Sequence, residues 1–144
     1  MPPEGHVIRI ELPSSFELLD LVQILSDRVS GLAGLDEDAT HWVSVAVRES
    51  VINAIKHGNK ADEAKRVVVV ITSHANALEV RVQDQGEGFD PAAVPDPLAE
   101  ENLLKADGRG IFFMRQFMDE VSYTFPPRGG TAVKMVKRVH AAAH

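Results

Sequence analysis

The chain contains no cysteine. That absence excludes thiolate nucleophiles, disulfide staples, cysteine-bound zinc and iron–sulfur clusters from its chemistry. Basic residues are not in excess either: 15 Lys+Arg stand against 21 Asp+Glu, a formal net charge of −6. Such an overall field is poorly suited to reading phosphate backbones, so direct nucleic-acid binding is not expected. No stretch approaches the ~18 uninterrupted apolar residues of a membrane span. The start, MPPEGHVIRI, has neither the basic region nor the long apolar stretch of a signal peptide. A cytoplasmic protein without membrane contact is expected. There is no internal repeat or low-complexity tract, and 144 residues are about one domain's worth. Fold and function are therefore expected to share a single domain over 1–144, with its core at about 6–138.

What is present reads as a succession of short elements. From His6 to Leu12, Ile8, Ile10 and Leu12 alternate with Val7, Arg9 and Glu11, the period of a half-buried strand that Pro13 ends. Ser14 and Ser15 are candidate N-caps for an amphipathic helix with Leu18, Val22, Leu25 and Val29 on one stripe, closed by Gly31 and Gly34. Asp36 or Asp38 opens a second helix that runs to His57 and stops at Gly58 and Asn59. It is apolar almost all round, so it is expected between the first helix and a sheet. Val67 to Ile71 and the alternating Leu78 to Asp84 predict an antiparallel hairpin. The segment 86–108 carries Gly86, Gly88, Pro91, Pro95, Pro97 and Gly108. A loop of roughly twenty residues is unusual in a compact domain, and reads as a flexible lid or as a tolerated surface insertion. A third helix follows, with Ile111, Met114, Met118 and Val121 in phase, and then a hairpin joining 121–125 to 131–136. The order β-α-α-β-β-lid-α-β-β predicts an α+β two-layer sandwich, its sheet mixed but mostly antiparallel and its helices on one face.

Three features break these patterns. On the second helix, at ~100° per residue, Trp42, Val45 and Ala46 point the same way as Glu49, Asn53 and Lys56. A carboxylate and an amide four residues apart on that face either line a pocket or form an ordinary solvated helix end. Asp84 is in phase with Leu78, Val80 and Val82 on the inward side of its strand. There it is either a buried acid awaiting a ligand donor or the start of an Asx turn. Gly108, Arg109 and Gly110 precede a helix, an arrangement that suits an anion and also suits simple loop geometry. No Gly-Lys-Ser/Thr follows and no strand immediately precedes, so neither a Walker A loop nor a dinucleotide fingerprint is present.

Taken in order, Glu49-Ser50-Val51-Ile52-Asn53-Ala54-Ile55-Lys56-His57, Asp84-Gln85-Gly86-Glu87-Gly88-Phe89, Gly108-Arg109-Gly110-Ile111 and Gly130-Thr131 resemble the N, G1 and G2 boxes of Bergerat-fold ATPases. That superfamily (GHKL) spans gyrase, large heat-shock chaperones and sensor histidine kinases. Within it the likeness is nearest to stand-alone anti-sigma-factor serine kinases of the RsbW and SpoIIAB type, and it covers the chain from Ile8 to Val136.

The resemblance implies ATP or ADP with Mg²⁺ as ligands. It makes Asn53 the Mg²⁺ ligand and Glu49 the general base. Asp84 accepts from the adenine amine, supported by Thr131 from the neighbouring strand. Gly86 and Gly88 open the lid, Gly108, Gly110 and Ile111 present backbone to the phosphates, and Arg109, Lys56 and His57 stand near them; a solvated helix end is an equal reading for Lys56 and His57. The implied activity is serine/threonine protein phosphorylation. The implied partners are a sigma factor, held inactive, a STAS-type antagonist phosphorylated on serine, and a second copy in a homodimer. The rival readings are a nucleotide-binding switch without kinase activity and a detached histidine-kinase ATPase domain, against which stands the lack of a phosphoacceptor-histidine helix. A clamp-type ATPase would need a transducer domain for which 144 residues leave no room.

Overall fold

The computed structural model describes residues 5–59, 62, 64–86, 116–126 and 129–139. Its strands are β1 (Val7–Pro13), β2 (Arg66–Ser73), β3 (Ala77–Gln83), β4 (Glu120–Thr124) and β5 (Ala132–Arg138). Two helices, α1 (Leu19–Ala33) and α2 (Glu37–Asn53), lie between β1 and β2 in the chain. The sheet order is β1-β2-β3-β5-β4. All four pairings are antiparallel, so among the described strands the expected mixed character is absent. The sequence-adjacent pairs β2–β3 and β4–β5 account for two of the pairings, the first through a three-residue connection, and antiparallel neighbours follow from such direct connections.

Each strand turns alternate residues inward. Val67, Val69, Ile71, Leu78, Val80 and Met135 are among the most deeply buried side chains of the sheet, and they join Val22, Val29, Val43, Val47, Val51 and Ile55 of the helical layer in one core. Two layers with a single core is the α+β sandwich read from the sequence, with the helices on one face. The lid at 86–108, apart from Gly86, and most of the third helix lie outside the described residues.

Several local readings change. Ser15 caps only a short 3-10 turn, Phe16–Leu18, its Oγ accepting from the Glu17 N–H at 3.3 Å. Leu18 precedes α1 and is exposed, whereas the buried face of α1 runs Leu19, Val22, Ser26, Val29 and Ser30. Gly34, not Gly31, closes α1 with φ +95°, a left-handed C-cap that glycine adopts without steric cost. The second helix opens at Asp36, whose Oδ1 accepts from the Ala39 N–H at 2.7 Å. It is not apolar all round: Val43, Ala46, Val47, Ser50 and Val51 are buried while His41 and Arg48 face solvent. It ends at Asn53 rather than His57, giving way to a π turn, Ala54–Gly58.

Candidate functional site

The π turn marks the first part of the site, because a wide turn at a helix end re-aims the residues around it. One turn before it, Glu49 and Asn53 lie four apart on α2 and are both half-buried. They share a flank with Trp42 and Val45, as the helical period predicts, but this flank borders the buried stripe and does not continue it. Trp42 stacks on Phe117 with ring centroids 3.6 Å apart and planes 2° from parallel. Among the described residues, neither the Glu49 carboxylate nor the Asn53 amide takes part in a hydrogen bond or ion pair. Both are thus available to a ligand. Lys56 is exposed; the side chain of His57 lies outside the described set.

Asp84 forms the second part, at the end of β3 and in phase with the core. It is 6% exposed. Its Oδ1 accepts from the Gly86 N–H at 3.0 Å and from the Thr131 N–H at 3.1 Å, and its own N–H donates to the Thr131 carbonyl at 3.0 Å. The Asx turn and the buried acid, alternatives in the sequence, are therefore both present. Thr131 meets Asp84 through its backbone. No hydrogen bond reaches Oδ2 among the described residues. Burial raises the pKa of Asp84 above 3.8, against the pull of the two N–H donors and of the Lys65 cation. On β4, beyond β5, burial and the charge of Asp84 push the Tyr123 phenol up to about 12, so it stays a neutral hydroxyl.

Gly130 makes the close approach possible. Its φ is +88°, and a Cβ there would lie 2.3 Å from the Asp84 carbonyl oxygen, a separation no side chain tolerates.

Asn59, read from the sequence only as a helix stop, is fully buried. Its Oδ1 accepts from the Gln85 N–H at 2.7 Å, beside Asp84. Lys65 and Gln85 were likewise missed: a lysine and a glutamine in a loop carry no periodic mark. The described residues hold no group of three or more His, Cys, Asp or Glu suited to a metal ion. A shallow depression of about 320 Å³, lined by Arg9, Val68, Val70, Glu79, Arg81 and Gln83, lies on the opposite face of the sheet. Gly88, Gly108, Arg109, Gly110 and Ile111 are outside the described residues.

A two-layer sandwich with a buried acid at one strand end, an acid–amide pair on the facing helix and a Gly-Thr entry to the last strand defines a class. The chain belongs to the histidine kinase-like ATPase domain family, whose model matches residues 13–137. More particularly, it is similar to bacterial serine-protein kinases RsbW. It is 30% identical to the one from Staphylococcus epidermidis over 139 residues, covering 92% of this chain and 86% of that protein. The RsbW proteins of Listeria monocytogenes serovar 1/2a and Listeria innocua serovar 6a are each 27% identical over 92% of this chain and 87% of their own length. Family and sandwich fold are as read from the boxes. No helix among the described residues is long and apolar enough to cross a membrane.

Proposed function

We propose that this chain is an ATP- and Mg²⁺-dependent serine/threonine protein kinase and an anti-sigma regulatory factor, cytoplasmic and built as one domain with a lid over 86–108. The observation that carries the nucleotide reading is Asp84: a buried carboxylate with one oxygen fixed by two backbone donors and the other left for a ligand N–H. An exocyclic adenine amine supplies that donor; the carbonyl of guanine would instead face a second acceptor, so ATP is preferred over GTP.

Asn53 fits a Mg²⁺ site, since its half-buried amide has no hydrogen-bond partner among the described residues and a hard cation that keeps its waters needs few protein ligands. Bound there, Mg²⁺ would neutralise charge on the nucleotide phosphates. Lys56, His57, Gly108, Arg109, Gly110 and Ile111 complete the phosphate side, Gly86 and Gly88 open the lid, and Thr131 holds Asp84. Glu49 accepts the proton of a serine hydroxyl on the protein substrate. That oxygen attacks the γ-phosphorus, the bond from the γ-phosphorus to the bridging oxygen breaks, and ADP leaves. The substrate in this reading is a STAS-type antagonist phosphorylated on serine, and a sigma factor is the partner held inactive. The exposed apolar side of α1 suits a second copy of the chain.

Incubation with labelled ATP and antagonist proteins encoded nearby, scored for acid-stable phosphate, tests the activity. Glu49→Gln should bind ATP normally and lose about 10²–10⁴-fold in transfer rate. Transfer at the wild-type rate would remove Glu49 as the base, and ATP binding by wild type without any transfer would leave the nucleotide-binding switch.

A further inference from the structure

Asn59 follows the π turn that ends the Glu49–Asn53 helix, and none of its surface reaches solvent. A buried primary amide must place two donors and an acceptor. Here Nδ2 donates to Ser14 Oγ at 2.9 Å and to the Arg66 carbonyl at 3.0 Å, while Oδ1 accepts from the Gln85 N–H at 2.7 Å. Gln85 is gripped a second time, its Oε1 accepting from the Arg66 N–H at 2.6 Å. A helix stop requires none of this. The closing bond of the π turn, from the Asn59 N–H to the Ala54 carbonyl at 2.8 Å, uses backbone that nearly any residue supplies.

Among the described residues, the sheet fixes Asp84 on one side, through Thr131. On the other side, among the described residues, the single hydrogen bond from the π turn or Asn59 to residues 84–86 is Asn59 Oδ1 to Gln85 N–H. We infer that Asn59 is a positioning residue for base recognition: through Gln85 it sets where the Asp84 carboxylate stands relative to α2 and so to the phosphate end of the site. The inference rests on the adenine reading of Asp84. Aspartate cannot replace asparagine, because Ser14 Oγ already donates to the Lys65 carbonyl at 2.7 Å and the Arg66 carbonyl has no proton to give.

The test is the ratio of ATP to GTP affinity, from calorimetric titration, alongside the melting temperature. Asn59→Ala should lower the ratio by about tenfold, the worth of one misplaced hydrogen bond to a charged group. Gln85→Pro deletes the N–H at an exposed position, together with the Oε1 acceptor of the Arg66 N–H, and leaves the Asn59 side chain in place; it should lower the ratio as well, whereas Gln85→Ala, which loses only the Oε1 bond, should keep it, so the pair keeps the test decisive should Asn59→Ala fail to fold. Ser14→Ala, which loses the bond from Asn59 Nδ2 and the bond to the Lys65 carbonyl but leaves the Gln85 contact in place, should lower the melting temperature and keep the wild-type ratio. Asn59→Ala and Gln85→Pro variants that melt lower with an unchanged ratio would overturn the inference alone. A wild type without ATP preference would overturn the adenine reading and this inference with it.

Discussion

Asp84 stands where ionisation is costly, and the cost has a direction in pH. Burial holds its folded pKa above 3.8, so the native state keeps its proton to higher pH than the unfolded chain does. Its contribution to stability is fully present below pH 3.8 and is lost as pH rises through the folded value, leaving a buried charge at neutrality. Asparagine presents the same acceptor to Gly86 and Thr131 without that charge. Asp84→Asn should therefore melt a few degrees higher than wild type at pH 7, with the advantage shrinking in melts at successively lower pH. The same substitution should weaken ATP binding about tenfold or more in calorimetric titration, because the amide can turn a donor toward the base. An equal melting advantage at pH 7 and pH 4 would dismiss desolvation as the cause. The inward phase of Asp84 was legible from Leu78, Val80 and Val82; its two backbone donors were not, since one comes from Thr131, 47 residues away.

Among the elements, α1 departs most from its sequence pattern. Its period gave the helix and placed Val22 and Val29 inward, yet Ser26 and Ser30 take inward positions and Leu25 is only half-buried. Hydropathy ranks leucine above serine at a core position, so no sequence rule selects the serines. Their hydroxyls are buried and, among the described residues, have no hydrogen-bond partner. Ser26→Ala and Ser30→Ala should each stabilise the protein by about 1 kcal/mol, since alanine removes an unsatisfied hydroxyl and favours the helix. Urea melts should show a higher midpoint at an unchanged m-value; a lower midpoint would mean that the hydroxyls are satisfied in solution. The end of α2 behaves differently. Its apolar pattern continues through Ala54 and Ile55, both buried, so periodicity ran past the point where hydrogen bonding widens into the π turn.

Across the whole molecule, the helical layer buries one side of α1 and leaves an apolar stripe on the other. Leu21, Ile24 and Leu32 recur at helical spacing opposite the buried face and are 44%, 61% and 59% exposed. Single exposed apolar residues are ordinary, but three on one face of one helix match a self-complementary contact in a homodimer. In the homodimer proposed above, Ile24→Glu should convert dimer to monomer at micromolar concentration, read by sedimentation velocity, with the melting transition retained; a wild type that already sediments as a monomer would dismiss the dimer. A variant that sediments as wild type would free this face of the role. The net charge of −6 belongs to this scale too, because it makes an ATP site in this chain a local exception, dependent on backbone donors, helix ends and a cation.

The sequence by itself determined the layers: strand and helix periods, turn residues and the order of elements are local properties, and they sufficed for the sandwich and for the family. It also determined which polar side chains fall on half-buried or inward faces, namely Glu49, Asn53 and Asp84. Only the tertiary structure decided what holds them. Asp84 is fixed by Thr131 across β3 and β5, Gly130 is required because another strand's carbonyl passes 2.3 Å from where its Cβ would be, and Asn59 bonds to Ser14, Arg66 and Gln85. These are contacts between distant parts of the chain, and hydrogen bonds formed across such separations leave no periodic trace along it.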